Sequence, residues 1–226
     1  KFRIMGYHGS AFEDRFAVNL PRKSIIAEGP SKLSQPIRRL NQLIQHPGFS
    51  RIFARDIYMK DISSPYSYNL WSFDMAPDRH APKNEPDMWT DIGRLWCCVT
   101  KVEHLKVFLQ MLKEPPLLET EESHQLNMGI WDMGQEPGTG KSYAELVREN
   151  ASCWQQAWRE VMGENAVLRT SDRLDGVVKH LGYQSVSMSW YVRDTLERAI
   201  TSDTQIVRTS QERLREVKVI PDAEME

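Results

Sequence analysis

The segment from Val147 to Met162 places its apolar residues along one face of a helix. The residues on this face are Val147, Ala151, Trp154, Trp158, Val161 and Met162. Their spacing follows the period of an α-helix, and Gly163 is a typical helix end. A helix that presents two indole rings on one side has to bury that side. The sequence therefore predicts a packed core around this helix.

The residues before this helix contain Gly-Thr-Gly-Lys-Ser, which ends the phosphate-binding loop of many nucleotide hydrolases. Candidates for holding a phosphate are Gly138, Gly140, Lys141 and Ser142. A complete loop needs its first glycine at position 135, but the chain has glutamine there and Gly134 stands one residue too early. The segment before the loop also alternates polar and apolar residues, whereas the central strand of such an enzyme is a continuous aliphatic run.

Ser142 has a structural role in the competing interpretation. The run Ser142-Tyr143-Ala144-Glu145 has the form S-x-x-E of a capping box, in which serine and glutamate satisfy backbone N–H groups at the start of a helix. We favour this role, with Gly138 and Gly140 as turn residues. Nucleotide binding through residues 134–142 is the alternative.

The charge of the chain excludes a general attraction to polyanions. Its 226 residues include 29 basic and 31 acidic side chains, a formal net charge of -2, so we expect no nucleic-acid partner. No apolar run approaches the roughly 18 residues of a membrane helix, and no signal-peptide pattern is present. We expect a cytoplasmic or nuclear protein. Because Lys1 opens a strand-like run, we also expect the sequence to be a piece of a longer chain.

The sequence contains no motif for a metal site or a catalytic group. The six histidines are scattered without H-E-x-x-H spacing, and the three cysteines show no C-x-x-C pair. No G-x-S-x-G elbow is present. We therefore expect no metal, no cofactor and no catalytic residue. An acid–base enzyme whose carboxylates meet only in the fold is a second alternative.

Helix and strand patterns alternate along the chain. They predict a helix in "SQPIRRLNQLIQHPG", a strand in "FSRIFARDIYMKDI", a helix starting at Asn84 or Asp87, and strands in "VEHLKVFLQML", "HQLNMGIWDM" and "ERLREVKVIPD". A short helix is predicted before Gly182, and "VSMSWYVRDTLERAI" fits either a strand leading into a helix or one longer helix. Residues 63–86 are expected to form a long Pro-rich surface loop, with at most a short strand at "YNLWSF".

These patterns predict one mixed α/β domain over residues 1–226, with amphipathic helices alternating with strands in irregular layers like those of leucine-rich repeats. The order of a helix, "RIFARDIYM", a long loop, "MWTDIGRLWCCVTKVEHLKVFLQML" and "RLREVKVI" resembles the leucine-rich-repeat-like regions that follow F-box motifs in many fungal proteins. The resemblance implies a non-catalytic region that holds a protein substrate or partner. The sequence shows no F-box and no regular repeat period, so no functional residue is carried over.

Aromatic residues in or beside the Pro-rich segment are the candidate contacts for such a partner. They are Trp71, Trp89, Tyr66 and Tyr68. Exposed aromatic side chains suit a protein contact surface, while the competing interpretation buries them as a satellite core beneath the loop. We predict a non-catalytic protein–protein interaction domain.

Overall fold

The computed structural model describes residues 16–17, 20, 23–30, 40–72, 74–77, 81–127 and 142–216. Within these residues, seven strands and eight α-helices form a mixed α/β structure. The predicted fold class is confirmed. Five strands come first along the chain, and most of the helices follow them.

The first five strands form one sheet in the order β1-β2-β5-β3-β4. They are β1 (Ser24–Pro30), β2 (Leu40–Gln45), β3 (Arg51–Ala54), β4 (Ile57–Asp61) and β5 (Ser67–Leu70). Strands β3 and β5 run parallel, and the other neighbours are antiparallel. All four residues of β5 are buried, because this strand lies in the middle of the sheet.

Strand β2 corrects the helix predicted in "SQPIRRLNQLIQHPG". The described part of that segment, from Leu40 onward, is extended and pairs with β1 on one side and β5 on the other, while residues 34–39 lie outside the described part. Leu40 and Ile44 fit a helical period, but a stretch this short does not distinguish a helix from a strand. Pairing with two distant segments decides the outcome.

The single strand predicted in "FSRIFARDIYMKDI" is instead a hairpin. Ala54 pairs with Ile57, so Arg55 and Asp56 form a two-residue turn between β3 and β4. Both turn residues have positive φ, 51° and 69°, as the hairpin turn that matches strand twist requires. The sequence lacks the usual Asn-Gly signal at this point, and for that reason the alternating pattern predicted one continuous strand.

The surface loop predicted over residues 63–86 is also wrong in its central part. It contains β5, which confirms the short strand considered at "YNLWSF" but places it in the middle of the sheet. The prolines that suggested a loop flank the strand and do not interrupt it.

Two helices follow the sheet. The first packs against β1, β2 and β5, and the two helices meet through the stacked rings of Trp96 and Phe108. Helix α1 (Glu85–Cys97) begins after Asn84, as predicted. Helix α2 (Val102–Leu112) replaces the strand predicted in "VEHLKVFLQML". The buried residues Leu105, Phe108, Leu109 and Leu112 recur at helical spacing, which explains the correction.

Two further predicted strands are helical where the structure describes them. Residues 124–127 of "HQLNMGIWDM" belong to helix α3 (Glu121–Asn127), and residues 128–133 lie outside the described part. Leu214 of "ERLREVKVIPD" lies on the last helix, which spans Asp203–Glu216, and its side chain is 73% exposed. Val217 and Val219 lie outside the described residues.

The tryptophan-bearing helix is confirmed, with a break near its start. Helix α4 (Tyr143–Glu149) and helix α5 (Ala151–Met162) meet at Asn150. Trp154 and Trp158 are fully buried on α5, and Gly163 ends it with φ of 113°.

A small parallel sheet completes the fold. Its strands are β6 (Ala166–Leu168) and β7 (Gln184–Val186), connected through a short 3₁₀ turn and helix α6 (Asp175–His180). Helix α7 (Trp190–Leu196) follows β7, and α8 (Asp203–Glu216) ends the described chain. The short helix before Gly182 and the strand-then-helix interpretation of "VSMSWYVRDTLERAI" are confirmed.

A run of aromatic contacts joins the sheet to three helices. Tyr66, next to β5, meets Trp96 of α1 edge to face at 5.1 Å between ring centroids, and Trp96 stacks on Phe108 of α2 at 4.4 Å. Phe108 then meets Trp154 of α5 at 6.0 Å. The core is therefore continuous from the sheet to α5.

Candidate functional site

The four aromatic residues predicted as partner contacts are all buried. The exposed fractions are 8% for Trp71, 2% for Tyr66 and 0% for Trp89 and Tyr68. Tyr66, Tyr68 and Trp89 form part of the main hydrophobic core, and Trp71 is buried as well. The expectation that these side chains are exposed is therefore corrected in favour of the core interpretation. They are buried because β5 is a central strand and α1 covers the sheet.

Tyr68 takes part in a buried polar network between the sheet and two helices. Its hydroxyl donates a hydrogen bond of 2.8 Å to Oε1 of Glu122 on α3, and it accepts one of 3.1 Å from Nε1 of Trp96. The hydroxyl of Ser64 donates to the same carboxylate oxygen. The second oxygen, Oε2 of Glu122, has no hydrogen-bond partner among the described residues.

Burial controls the ionisation of this network. It raises the pKa of Glu122 above its ordinary value, although hydrogen bonds from Ser64 and Tyr68 act in the opposite direction. Burial also raises the pKa of Tyr68, and the nearby carboxyl group of Glu122 adds to that rise. The network is thus biased toward its neutral form, as expected where two acidic groups share a site of low polarity.

A second buried pair lies beside the network. The hydroxyl of Tyr66 and Nδ1 of His104 are 2.9 Å apart. Burial lowers the pKa of His104, so the imidazole is neutral at neutral pH and Nδ1 can accept the hydroxyl proton. Tyr66, His104 and Glu122 are the kind of groups an acid–base enzyme uses, but each is less than a tenth exposed. In this arrangement they hold strands and helices together and do not meet solvent.

Only the end of the phosphate-loop candidate falls within the described residues. Gly138, Gly140 and Lys141 lie outside them. Ser142 is the N-cap of α4: its hydroxyl accepts a hydrogen bond of 3.2 Å from the backbone N–H of Glu145, and the Glu145 carboxylate accepts one of 2.6 Å from the backbone N–H of Ser142. The predicted capping box is confirmed, so Ser142 already has a structural role.

The described part of the chain contains neither a metal-binding cluster nor a membrane-spanning helix. No group of three or more histidine, cysteine or acidic side chains within it is arranged to hold a metal ion. None of its helices is long and apolar enough to span a bilayer.

An exposed tryptophan is present, but at a different place from the one predicted. Trp190 begins α7 and is 60% exposed. The buried residues of α7 include Val192 and Leu196, four positions apart on one face. Trp190 shares the opposite face with Asp194, which is exposed. The helical period of this segment was the sequence signal that could have identified Trp190.

Leu117 is a second exposed apolar side chain, in the segment that follows α2. Leu117 is 55% exposed, and its backbone N–H donates a hydrogen bond of 2.8 Å to the carbonyl of Gln110 at the end of α2. Lys113 of the same region forms an antiparallel bridge with Met188, two residues before Trp190. We call the outer face of α7, with Trp190 and Asp194, the Trp190 surface.

The Trp190 surface is the candidate functional site because Trp190 is exposed where five other tryptophans are buried. Those five are Trp71, Trp89, Trp96, Trp154 and Trp158.

Comparison with known proteins adds no support for the predicted resemblance to F-box-associated regions. No protein-family model, curated protein or solved structure matches this chain.

Proposed function

We propose that this chain is a non-catalytic module that binds another protein, with Trp190 at the centre of the contact. The observation that carries the proposal is the 60% exposure of Trp190 on the outer face of α7. Tryptophan is mostly buried in folded proteins and is enriched among the residues that dominate binding energy. A partner that covers the indole ring gains the free energy of removing that apolar area from water.

The surroundings of Trp190 suit a protein contact. The exposed side chains of Asp194 and Arg198, four and eight positions after Trp190, supply charge. An apolar centre with a polar rim is the usual composition of a protein interface. The partner in this proposal is another protein, not a nucleic acid or a membrane.

We place the module in the cytoplasm or nucleus. Cys97, Cys98 and Cys153 are free thiols in the structure, which is the state that a reducing compartment maintains.

Quantitative affinity capture tests the proposal. The wild-type chain, Trp190→Ser and Leu214→Ser are used as baits in parallel, and the captured proteins are compared by mass spectrometry. Leu214 is the matched control, because its side chain is 73% exposed and it lies on α8. We expect at least one stoichiometric partner to bind the wild type and Leu214→Ser, and to bind Trp190→Ser at least about tenfold more weakly.

Two results contradict the proposal. One is a set of captured partners that Trp190→Ser retains in full. The other is equal loss in Trp190→Ser and Leu214→Ser, which would show that any exposed apolar side chain causes the capture. Thermal unfolding of all three baits checks that their folds are comparable. We expect similar melting temperatures, because substitutions at exposed positions change stability little.

A further inference from the structure

A small cavity lies beside the turn between β3 and β4. Its volume is about 190 Å³, and its described lining residues are Ala54, Arg55, Ile57, Met59 and Met75. Four of these five side chains are apolar. An apolar cavity of about 150 Å³ is large enough to admit benzene, so this cavity has room for a short hydrocarbon group.

Arg55, the one charged residue in the described part of the lining, is held in an unfavourable backbone conformation. Its φ is 51°, in the left-handed region, where a residue with a large side chain is an outlier and glycine or asparagine is usual. Residues held in such conformations are concentrated at ligand sites, because the surrounding structure has to impose them.

Neighbouring groups fix this turn. The backbone N–H of Arg55 donates to the carbonyl of Leu70 at 2.9 Å, and the backbone N–H of Asp56 donates to Oδ1 of Asn69 at 3.0 Å. The amide of Asn69 in turn donates to the Asp56 carboxylate at 2.7 Å, and Asn69 is only 1% exposed. The central strand β5 therefore holds Arg55 at the cavity.

The guanidinium of Arg55 is available to a ligand. Within the described residues it forms no ion pair, and the adjacent carboxylate of Asp56 is engaged by Asn69. Arg55 is exposed. Ile57, which also lines the cavity, has a side chain that is 42% exposed, so a ligand can enter the cavity on that side as well. The cavity thus combines an apolar lining with one cationic group at its edge.

We propose that this cavity binds a carboxylate attached to a short apolar chain. The apolar chain lies against Met59 and Met75, whose flexible thioether side chains adapt to ligands of different shape. The carboxylate accepts two parallel hydrogen bonds from the guanidinium of Arg55, the geometry that arginine offers and lysine does not. This site is separate from the Trp190 surface and does not depend on the proposed protein-binding function.

Titration with three matched ligands tests the site. Hexanoate, hexanol and hexylamine are linear six-carbon ligands that differ in the charge of the end group. Their binding to the purified protein is followed by calorimetry at neutral pH. We expect saturable binding of hexanoate alone. Equal binding of hexanol, or saturable binding of none of the three, overturns the proposal.

Two variants locate the binding in the cavity. Arg55→Asn keeps a residue that tolerates the left-handed conformation but removes the guanidinium, so hexanoate should bind at least about tenfold more weakly while the melting temperature does not fall. Arg213→Gln is the control, since it removes an exposed arginine on α8. Unchanged affinity in Arg55→Asn, or an equal loss in Arg213→Gln, contradicts the assignment.

The source of the carboxylate is distinguished by a second ligand pair. N-acetylmethionine with a free carboxylate resembles the carboxyl terminus of a peptide, and N-acetylmethionine amide lacks the charge. Binding of the free acid at least about tenfold more tightly than hexanoate assigns the site to a peptide terminus, and comparable or weaker binding assigns it to a free acid. Equal binding of the amide overturns the role of Arg55.

Discussion

The hydroxyl of Tyr68 donates a 2.8 Å hydrogen bond to Glu122, and neither side chain is exposed. The pair joins β5 to α3, two segments far apart in the sequence. Because Glu122 lies in the core, its protonation state is coupled to folding.

Replacing Glu122 by Gln changes how stability depends on pH. Burial raises the pKa of Glu122 in the folded chain, so its stabilising effect is complete below the unfolded pKa of about 4.3 and is lost as the pH rises through the folded pKa. Glutamine does not ionise and escapes this loss. We therefore expect the free energy of unfolding of Glu122→Gln to rise relative to wild type between acidic and neutral pH, measured by urea denaturation.

Glu160→Gln is the control, because its stability relative to wild type should change with pH in the opposite direction. A hydrogen bond from Lys106, at 2.7 Å, lowers the pKa of the exposed Glu160, so its contribution is present above the unfolded pKa and is lost as the pH falls. Relative to wild type, this variant should become less stable as the pH rises. A difference between Glu122→Gln and wild type that stays constant over the whole pH range would show that Glu122 does not titrate with folding.

Ser142→Ala should lower the free energy of unfolding by about 1 kcal/mol, because it removes the side-chain acceptor for the N–H of Glu145. Lys141→Ala should leave stability almost unchanged. Chemical denaturation of both variants measures the difference.

Addition of Mg-ATP or Mg-GTP should not raise the melting temperature. A rise that is abolished in Lys141→Ala would instead favour nucleotide binding through residues 134–142.

Two glycines should respond to alanine in opposite ways. Gly163 has φ of 113° and ψ of 154° at the end of α5, a conformation essentially restricted to glycine, so Gly163→Ala should cost at least about 1 kcal/mol. Gly176 lies within α6, and an added Cβ there meets no atom within 4 Å. Gly176→Ala should therefore stabilise the chain by about 0.5 kcal/mol. Thermal unfolding of both variants checks the pair, and a shift in the same direction for both is incompatible with these backbone assignments.

Trp89→Ala and Trp190→Ala should differ strongly in stability. Trp89 is fully buried in the core, so its removal should cost about 3–5 kcal/mol. Trp190 is 60% exposed, and its removal should cost less than about 1 kcal/mol. Urea denaturation of the two variants measures both values. Similar losses in the two variants would mean that Trp190 is buried in solution.

Local signals in the sequence determined the start of α4 and the buried face of α5. The S-x-x-E run specified the capping box of Ser142 and Glu145, because both hydrogen bonds close within three residues. The spacing of Trp154 and Trp158 specified the face that α5 buries, since residues four apart on a helix lie on the same side. The mixed α/β class followed from such patterns.

Only the tertiary structure decided which short apolar segments became strands and which tryptophan stayed exposed. The run Leu40–Gln45 fits both periods, and it is a strand because β1 and β5 supply hydrogen-bond partners on both sides. Trp71 and Trp89 are buried because β5 lies in the middle of the sheet beneath α1, whereas Trp190 faces outward because Val192 and Leu196 turn the other side of α7 inward. Pairing and burial of this kind depend on contacts between distant parts of the chain, which local sequence patterns do not contain.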